Sequence, residues 1–123
     1  MADIKPPTPR KLTLAEKIRR AREFKHEVGG FTFTLRRPTE CEWYDTVVGT
    51  GSTARFLPFI IGWDGVREMD ILPNADPHPM PFDEITRDEW LSDRSDLFGP
   101  LVSAIFDAFN AYREAREPTE KKS

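Results

Sequence analysis

The chain has 123 residues, 32% of them charged and 38% apolar, and carries a formal net charge of −3; that is enough for one domain around one core. No apolar run is long enough to cross a bilayer, the start MADIKPPTPRK lacks the hydrophobic stretch of a secretory signal, and the lone Cys41 cannot form an internal disulfide, so a cytosolic protein with no membrane partner is expected. The charge is uneven: residues 1–37 hold ten Lys/Arg against four Asp/Glu, and residues 38–123 hold eight against seventeen, a split that favours head-to-tail association of copies or a basic arm lying over an acidic body.

Residues 1–11, with Pro6, Pro7 and Pro9 and little to bury, read as a disordered, extended arm ahead of a single helical domain over 12–117. Thr13-Leu14-Ala15-Glu16 has the spacing of a capping box and opens a helix to about Arg22. Its apolar stripe, Leu14, Ile18 and Ala21, is thin and sits among Lys17, Arg19, Arg20 and Arg22, so the helix is expected to rest on the body or on a neighbour.

Residues 24–35 form a β-hairpin about Gly29-Gly30, a pair that accepts the positive φ of a type I′ turn. A two-residue loop pairs Val28 with Phe31, His26 with Phe33 and Phe24 with Leu35, placing all six on one face. Two strands are marginal alone, so that face needs helices over it.

Thr39-Glu40-Cys41-Glu42 is a second capping box, starting a helix from Glu40 to Val48 that packs through Trp43, Tyr44, Val47 and Val48 and stops at Gly49. Another helix is expected from Ser52 or Thr53 through Trp63, apolar nearly all round, with Pro58 early in it. Val66 to Leu72 continues irregularly, and Pro73 to Pro81 is a surface loop with four prolines. Thr86-Arg87-Asp88-Glu89 is read as a third capping box, with Trp90 and Leu91 inward.

Asp96 then caps the longest helix, which Pro118 ends, leaving a polar tail over 118–123. On this helix Phe98, Ile105, Phe109 and Tyr112 fall along one line, flanked by Leu97, Leu101 and Ala108 on one side and by Val102 and Phe106 on the other. The apolar arc spans about 200°, roughly twice what a surface helix needs. Either the helix runs through the core or its Val102–Phe106 edge serves another chain, by self-association or by receiving a partner's amphipathic helix. Phe98, Phe109 and Trp63 are open between core and contact.

Catalytic and cofactor signatures are weak. Gly49-Thr50-Gly51-Ser52-Thr53 precedes a helix but lacks the Lys and spacing of a P-loop and follows no strand, so it reads as a connection. His26 and His78 form no ligand cluster with Cys41, and Cys41 has no evident base, which argues against metal or thiol catalysis. Asp83-Glu84 and Asp88-Glu89 read as solvated charge and dipole partners. The expectation is a protein that is no enzyme, with no cofactor and no metal. The basic first third suits nucleic acid, but its aromatics are committed to the hairpin and the whole chain is acidic.

Four segments taken together resemble the tail assembly chaperones of long-tailed bacteriophages: Gly29-Gly30-Phe31-Thr32-Phe33-Thr34-Leu35-Arg36-Arg37-Pro38-Thr39, Phe59-Ile60-Ile61-Gly62-Trp63-Asp64-Gly65-Val66, Pro81-Phe82-Asp83, and Trp90 to Leu101 leading into the aromatic-rich helix. The likeness covers about Glu23 to Glu117 and lies in segment order and flavour. It implies a short, pre-frameshift form that binds the tape measure protein in the cytoplasm of the bacterial host, keeps it soluble during tail assembly, and is absent from the mature virion. A longer frameshifted form would recruit the tail tube protein, and Lys121-Lys122 lies where a slippery run would encode it.

The expected fold is therefore α+β and mainly α, with four or five helices, one small hairpin packed on them and a long C-terminal helix. Candidate partner-binding residues are Val102, Phe106, Phe98, Phe109 and Trp63. The alternatives are a nucleic-acid-binding or regulatory module using the basic third, and a phage structural or adaptor protein retained in the virion.

Overall fold

Gly29 and Gly30 both adopt positive φ, 61° and 84°, and so give the hairpin its tight type I′ turn. That turn sets the register of strands β1 (Glu23–Val28) and β2 (Phe31–Arg36), with Val28 opposite Phe31, His26 opposite Phe33 and Phe24 opposite Leu35. The pairing is the one the hydrophobic alternation requires. Phe33 and Leu35 are completely buried, whereas Phe24, His26 and Val28 are half-buried, because β2 lies in the middle of a sheet and β1 at its edge. The computed structural model describes residues 11–48 and 53–121. The arm over 1–10, the stop at Gly49 and most of the 49–53 connection lie outside them, as do the side chains of Val47 and Val48.

The sheet has three antiparallel strands in the order β1-β2-β3, with β3 at Ile60–Asp64. This corrects the expected helix through Trp63. Thr53–Phe59 is a 3₁₀ segment, and the chain then straightens, placing Trp63 beside Phe33 and Ile60 beside Leu35. A short apolar run cannot be assigned by periodicity, since a buried strand and a buried helix look alike. The deciding factor is non-local: β2 has a free edge after the hairpin, and Ile60, Gly62, Trp63 and Asp64 pair along it, with Ile61 left out at a bulge between Thr34 and Leu35.

Among the described residues there are five α-helices, α1 (Leu14–Ala21), α2 (Glu40–Val48), α3 (Glu68–Ile71), α4 (Glu84–Leu91) and α5 (Ser95–Lys121). The fold is thus α+β and mainly helical, with α5 lying against β1. The capping signals were uneven guides. Thr39 and Glu42 form a reciprocal box, Glu42 N–H donating to Thr39 Oγ1 at 3.1 Å and Thr39 N–H to Glu42 Oε1 at 3.0 Å. At α4 the cap is Asp83, three residues ahead of the expected Thr86; its carboxylate accepts from both Thr86 N–H and Thr86 Oγ1–H. A carboxylate caps better than a hydroxyl sitting inside the first turn. The long helix likewise opens at Ser95, and Asp96 binds the Arg94 guanidinium through both oxygens. Pro118 does not end it; the helical backbone continues to Lys121, a proline so near the end removing few hydrogen bonds.

The core is one cluster joining Phe33 and Leu35 of β2, Phe56, Leu57 and Phe59 of the 3₁₀ segment, Ile60 and Trp63 of β3, Trp90 and Leu91 of α4, and Leu97, Leu101 and Ile105 of α5. Two expected contact residues belong to this interior. Trp63 is 7% exposed, packs edge-on against Trp90 and donates its indole N–H to Met80 O at 2.7 Å. Phe109 is 1% exposed and stacks on Trp43. The buried line of α5 is therefore Leu97, Leu101, Ile105 and Phe109, turned toward the leucine flank of the arc. Tyr44, expected inward, is exposed. Arg87 is buried instead, its guanidinium donating to Ile60 O at 3.1 Å and to Asp88 Oδ1 at 2.8 Å, which ties α4 to the start of β3.

Candidate partner-binding surface

Helical spacing puts Phe98, Val102 and Phe106 on one line of α5, beside the buried one. All three are half-buried and packed against the core. Phe106 is the most firmly held: its ring meets Trp43 edge-on at 4.7 Å and lies nearly parallel to Phe56 at 5.1 Å. The line is thus a rim, part interior and part open to a partner. Of the five residues expected to make contact, the structure brings these three together on the surface and withdraws Trp63 and Phe109.

The larger apolar exposure is on α1. Leu14 is 73% and Ile18 46% exposed, and no residue of α1 is buried. Thr13 caps this helix, its hydroxyl accepting from Glu16 N–H at 3.1 Å. The stripe expected to rest on the body does not rest there along its length. Its last residue, Ala21, lines an open cleft of about 520 Å³ with Arg22, Glu23, Phe24, Arg37, Ala108 and Tyr112, and Arg19 lines another of about 380 Å³ with Arg22, Glu23, Arg36, Thr39 and Glu42.

Basic groups gather around this end of the molecule. Arg37 lies 3.5 Å over the ring of Tyr112, and its guanidinium is held below the usual arginine range, chiefly by burial and further by the nearby charge of Arg22. Arg22 Nε is buried without a hydrogen-bond partner. Neighbouring Arg36 is neutralised, forming a two-pronged pair with Glu42 at 2.8 Å for each bond. That contact, opposed by partial burial and assisted by the Thr39 amide, draws the Glu42 carboxyl down to about 2.

The opposite end is acidic. Between α3 and the C-terminal end of α4 an open cleft of about 370 Å³ is lined by Asp70, Ile71, Pro73, Glu89, Trp90, Asp93 and Arg94. Asp70 is paired with Arg67 and Arg94 with Asp96; Glu89 and Asp93 have no ion partner among the described residues. Leu72, Met69 and Ile85 are exposed on the adjoining surface, and the indole N–H of Trp90 is buried without an acceptor.

The other candidates of the sequence stay apart. His26 is half-buried opposite Phe33, His78 is exposed in the proline-rich loop, and Cys41 is exposed on α2. Asp83 caps α4, with its carboxyl lowered by the Thr86 hydrogen bonds, and Asp88 serves Arg87. Among the described residues no three His, Cys, Asp or Glu side chains are grouped at metal-binding distance, and no helix is long and apolar enough to cross a membrane. Comparison with known proteins finds no matching family model, no similar curated protein and no similar solved structure.

Proposed function

We propose that the chain is a non-enzymatic assembly chaperone of a long-tailed bacteriophage, binding the tape measure protein in the host cytoplasm and leaving before the tail is complete. The observation that carries this reading is the rim of α5, where Phe98, Val102 and Phe106 form a continuous apolar line that the core only half covers. A long helical client with exposed apolar stripes aggregates unless those stripes are shielded. Many copies of a small protein with such a rim can shield it, each binding weakly enough to be displaced later by the tail tube. The segment order that resembles tail assembly chaperones supplies the identity of the client; the surface supplies the means.

The test is capture of the tape measure protein by the tagged chain, compared with Phe98→Glu and Val102→Glu. Both side chains are half-buried at the rim, so both variants are expected to keep the native circular dichroism spectrum and to lose the client. Undiminished capture by the folded variants contradicts the reading.

A second reading rests on α1, whose Lys17, Arg19 and Arg20 are all exposed: a nucleic-acid-binding or regulatory module. It predicts binding whose affinity falls steeply with salt. Client binding through apolar contacts resists salt.

A further inference from the structure

The inward row of the hairpin ends on two arginines. Its pairs are Val28 with Phe31, His26 with Phe33 and Phe24 with Leu35, so the next rung in that register sets Arg22 against Arg37. The backbone completes the rung, Arg37 N–H donating to Arg22 O at 2.9 Å. Alternation calls for an apolar pair at this place. Like charges directly opposite one another are destabilising instead, and both residues are half-buried.

Neither charge is answered within the chain. Among the described residues neither arginine has an ion partner, Glu42 being taken by Arg36 and Glu40 by Arg116. Arg22 Nε is buried with no acceptor. Arg37 lies over the Tyr112 ring and donates one N–H to Pro38 O at 3.1 Å. Burial opposes its charge, and so does Arg22.

Both arginines line the cleft of about 520 Å³ against α5, a size within the roughly 300–1,000 Å³ of small-molecule sites. Ala108 leaves room on the helix side, and Phe24 and Tyr112 supply aromatic surface. Glu23 lines the cleft as well, but it is exposed and alternates to the other face of β1 with Lys25 and Glu27. Ala108 and Tyr112 lie across the buried line of α5 from Val102 and Phe106, so the cleft is separate from the client rim.

We propose that this cleft binds a small phosphate monoester, its phosphate held between the guanidiniums of Arg22 and Arg37 and its apolar or aromatic body against Phe24 and Ala108. A phosphate monoester carries nearly two negative charges at neutral pH and three acceptor oxygens. It therefore neutralises both arginines and gives Arg22 Nε the acceptor it lacks, whereas a carboxylate neutralises only one. The site needs no client, so it stands or falls independently of tape measure binding.

The experiment is isothermal titration calorimetry of the full chain in low salt, with phenyl phosphate and benzoate as probes. Phenyl phosphate is expected to saturate a single site, at least about tenfold tighter than benzoate, which has the ring but a single charge. Arg22→Gln and Arg37→Gln are each expected to weaken it by roughly tenfold to a hundredfold, the loss of charge-assisted hydrogen bonds. Because the fold gains nothing from the Arg22 charge, Arg22→Gln is also expected to keep the wild-type melting temperature and to lose the rise that phenyl phosphate brings. Ala108→Trp fills the cleft without touching either charge and is expected to block the probe, should an arginine variant lose its fold. No saturable binding of phenyl phosphate, benzoate binding as tightly, or undiminished binding by any of the folded variants overturns the proposal. A single-stranded oligonucleotide that binds more tightly than phenyl phosphate through the same two arginines assigns the cleft to nucleic acid and overturns it too.

Discussion

Arg36, the last residue of β2, grips Glu42 on the first turn of α2 with two parallel hydrogen bonds of 2.8 Å. The same carboxylate accepts the Thr39 amide, so one side chain closes the capping box and ties the helix to the sheet. Its carboxyl, ordinarily near 4.5, is held down to about 2. A depressed acid stabilises the fold above its unfolded value and loses that contribution as pH falls. The window here is therefore about pH 4.5 down to about 2. The pair is partly open to solvent, which screens the gain to about 1 kcal/mol or less. Glu42→Gln is expected to lower stability by that amount at neutral pH and to match the wild type near the bottom of the window, as read by urea unfolding at several pH values.

The turn glycines should differ in their tolerance. Both have positive φ, but a β-carbon on Gly29 would lie 2.7 Å from Leu97 Cδ2, whereas nothing lies within 4 Å of one on Gly30. Gly30→Ala is expected to cost about 1 kcal/mol from backbone strain alone. Gly29→Ala carries the same strain and must also displace a core leucine, for a total of about 2–3 kcal/mol. Equal denaturation midpoints for the two would contradict the packing of the turn on α5.

Core and rim separate along α5. Phe109→Ala removes a buried, stacked ring and is expected to cost about 3–5 kcal/mol. Phe106→Ala loses its contacts with Trp43 and Phe56 but opens toward solvent, so about 1–2 kcal/mol is expected. Val102→Glu should cost less than either. Thermal melts of the three variants give the order directly.

The parts of this fold governed by local rules were legible before any coordinates. Two glycines between alternating apolar residues determine a hairpin register, and Thr39 with Glu42 determines a helix start, because each signal acts over a few residues. Ile60 to Trp63 was not legible in the same way, since its state depends on the free edge of β2, a partner distant in sequence. The α5 arc showed that the helix was too apolar for an ordinary surface position. Its periodicity could not say which third of the arc faces inward, and so Phe109 passed for a contact candidate. Arg87 was hidden for a related reason: a buried arginine needs a backbone carbonyl to receive it, and Ile60 supplies one only after the strand has formed. The α1 stripe was visible, but whether anything covers it is a property of the whole surface.

The most direct measurement is the solubility of the tape measure protein when it is produced alone and together with this chain. Co-production is predicted to move it from the pellet to the supernatant in a complex that the Phe98→Glu/Val102→Glu double variant fails to form. A tape measure protein that stays insoluble beside abundant, folded wild-type chain, or that is rescued equally by the double variant, would contradict the account.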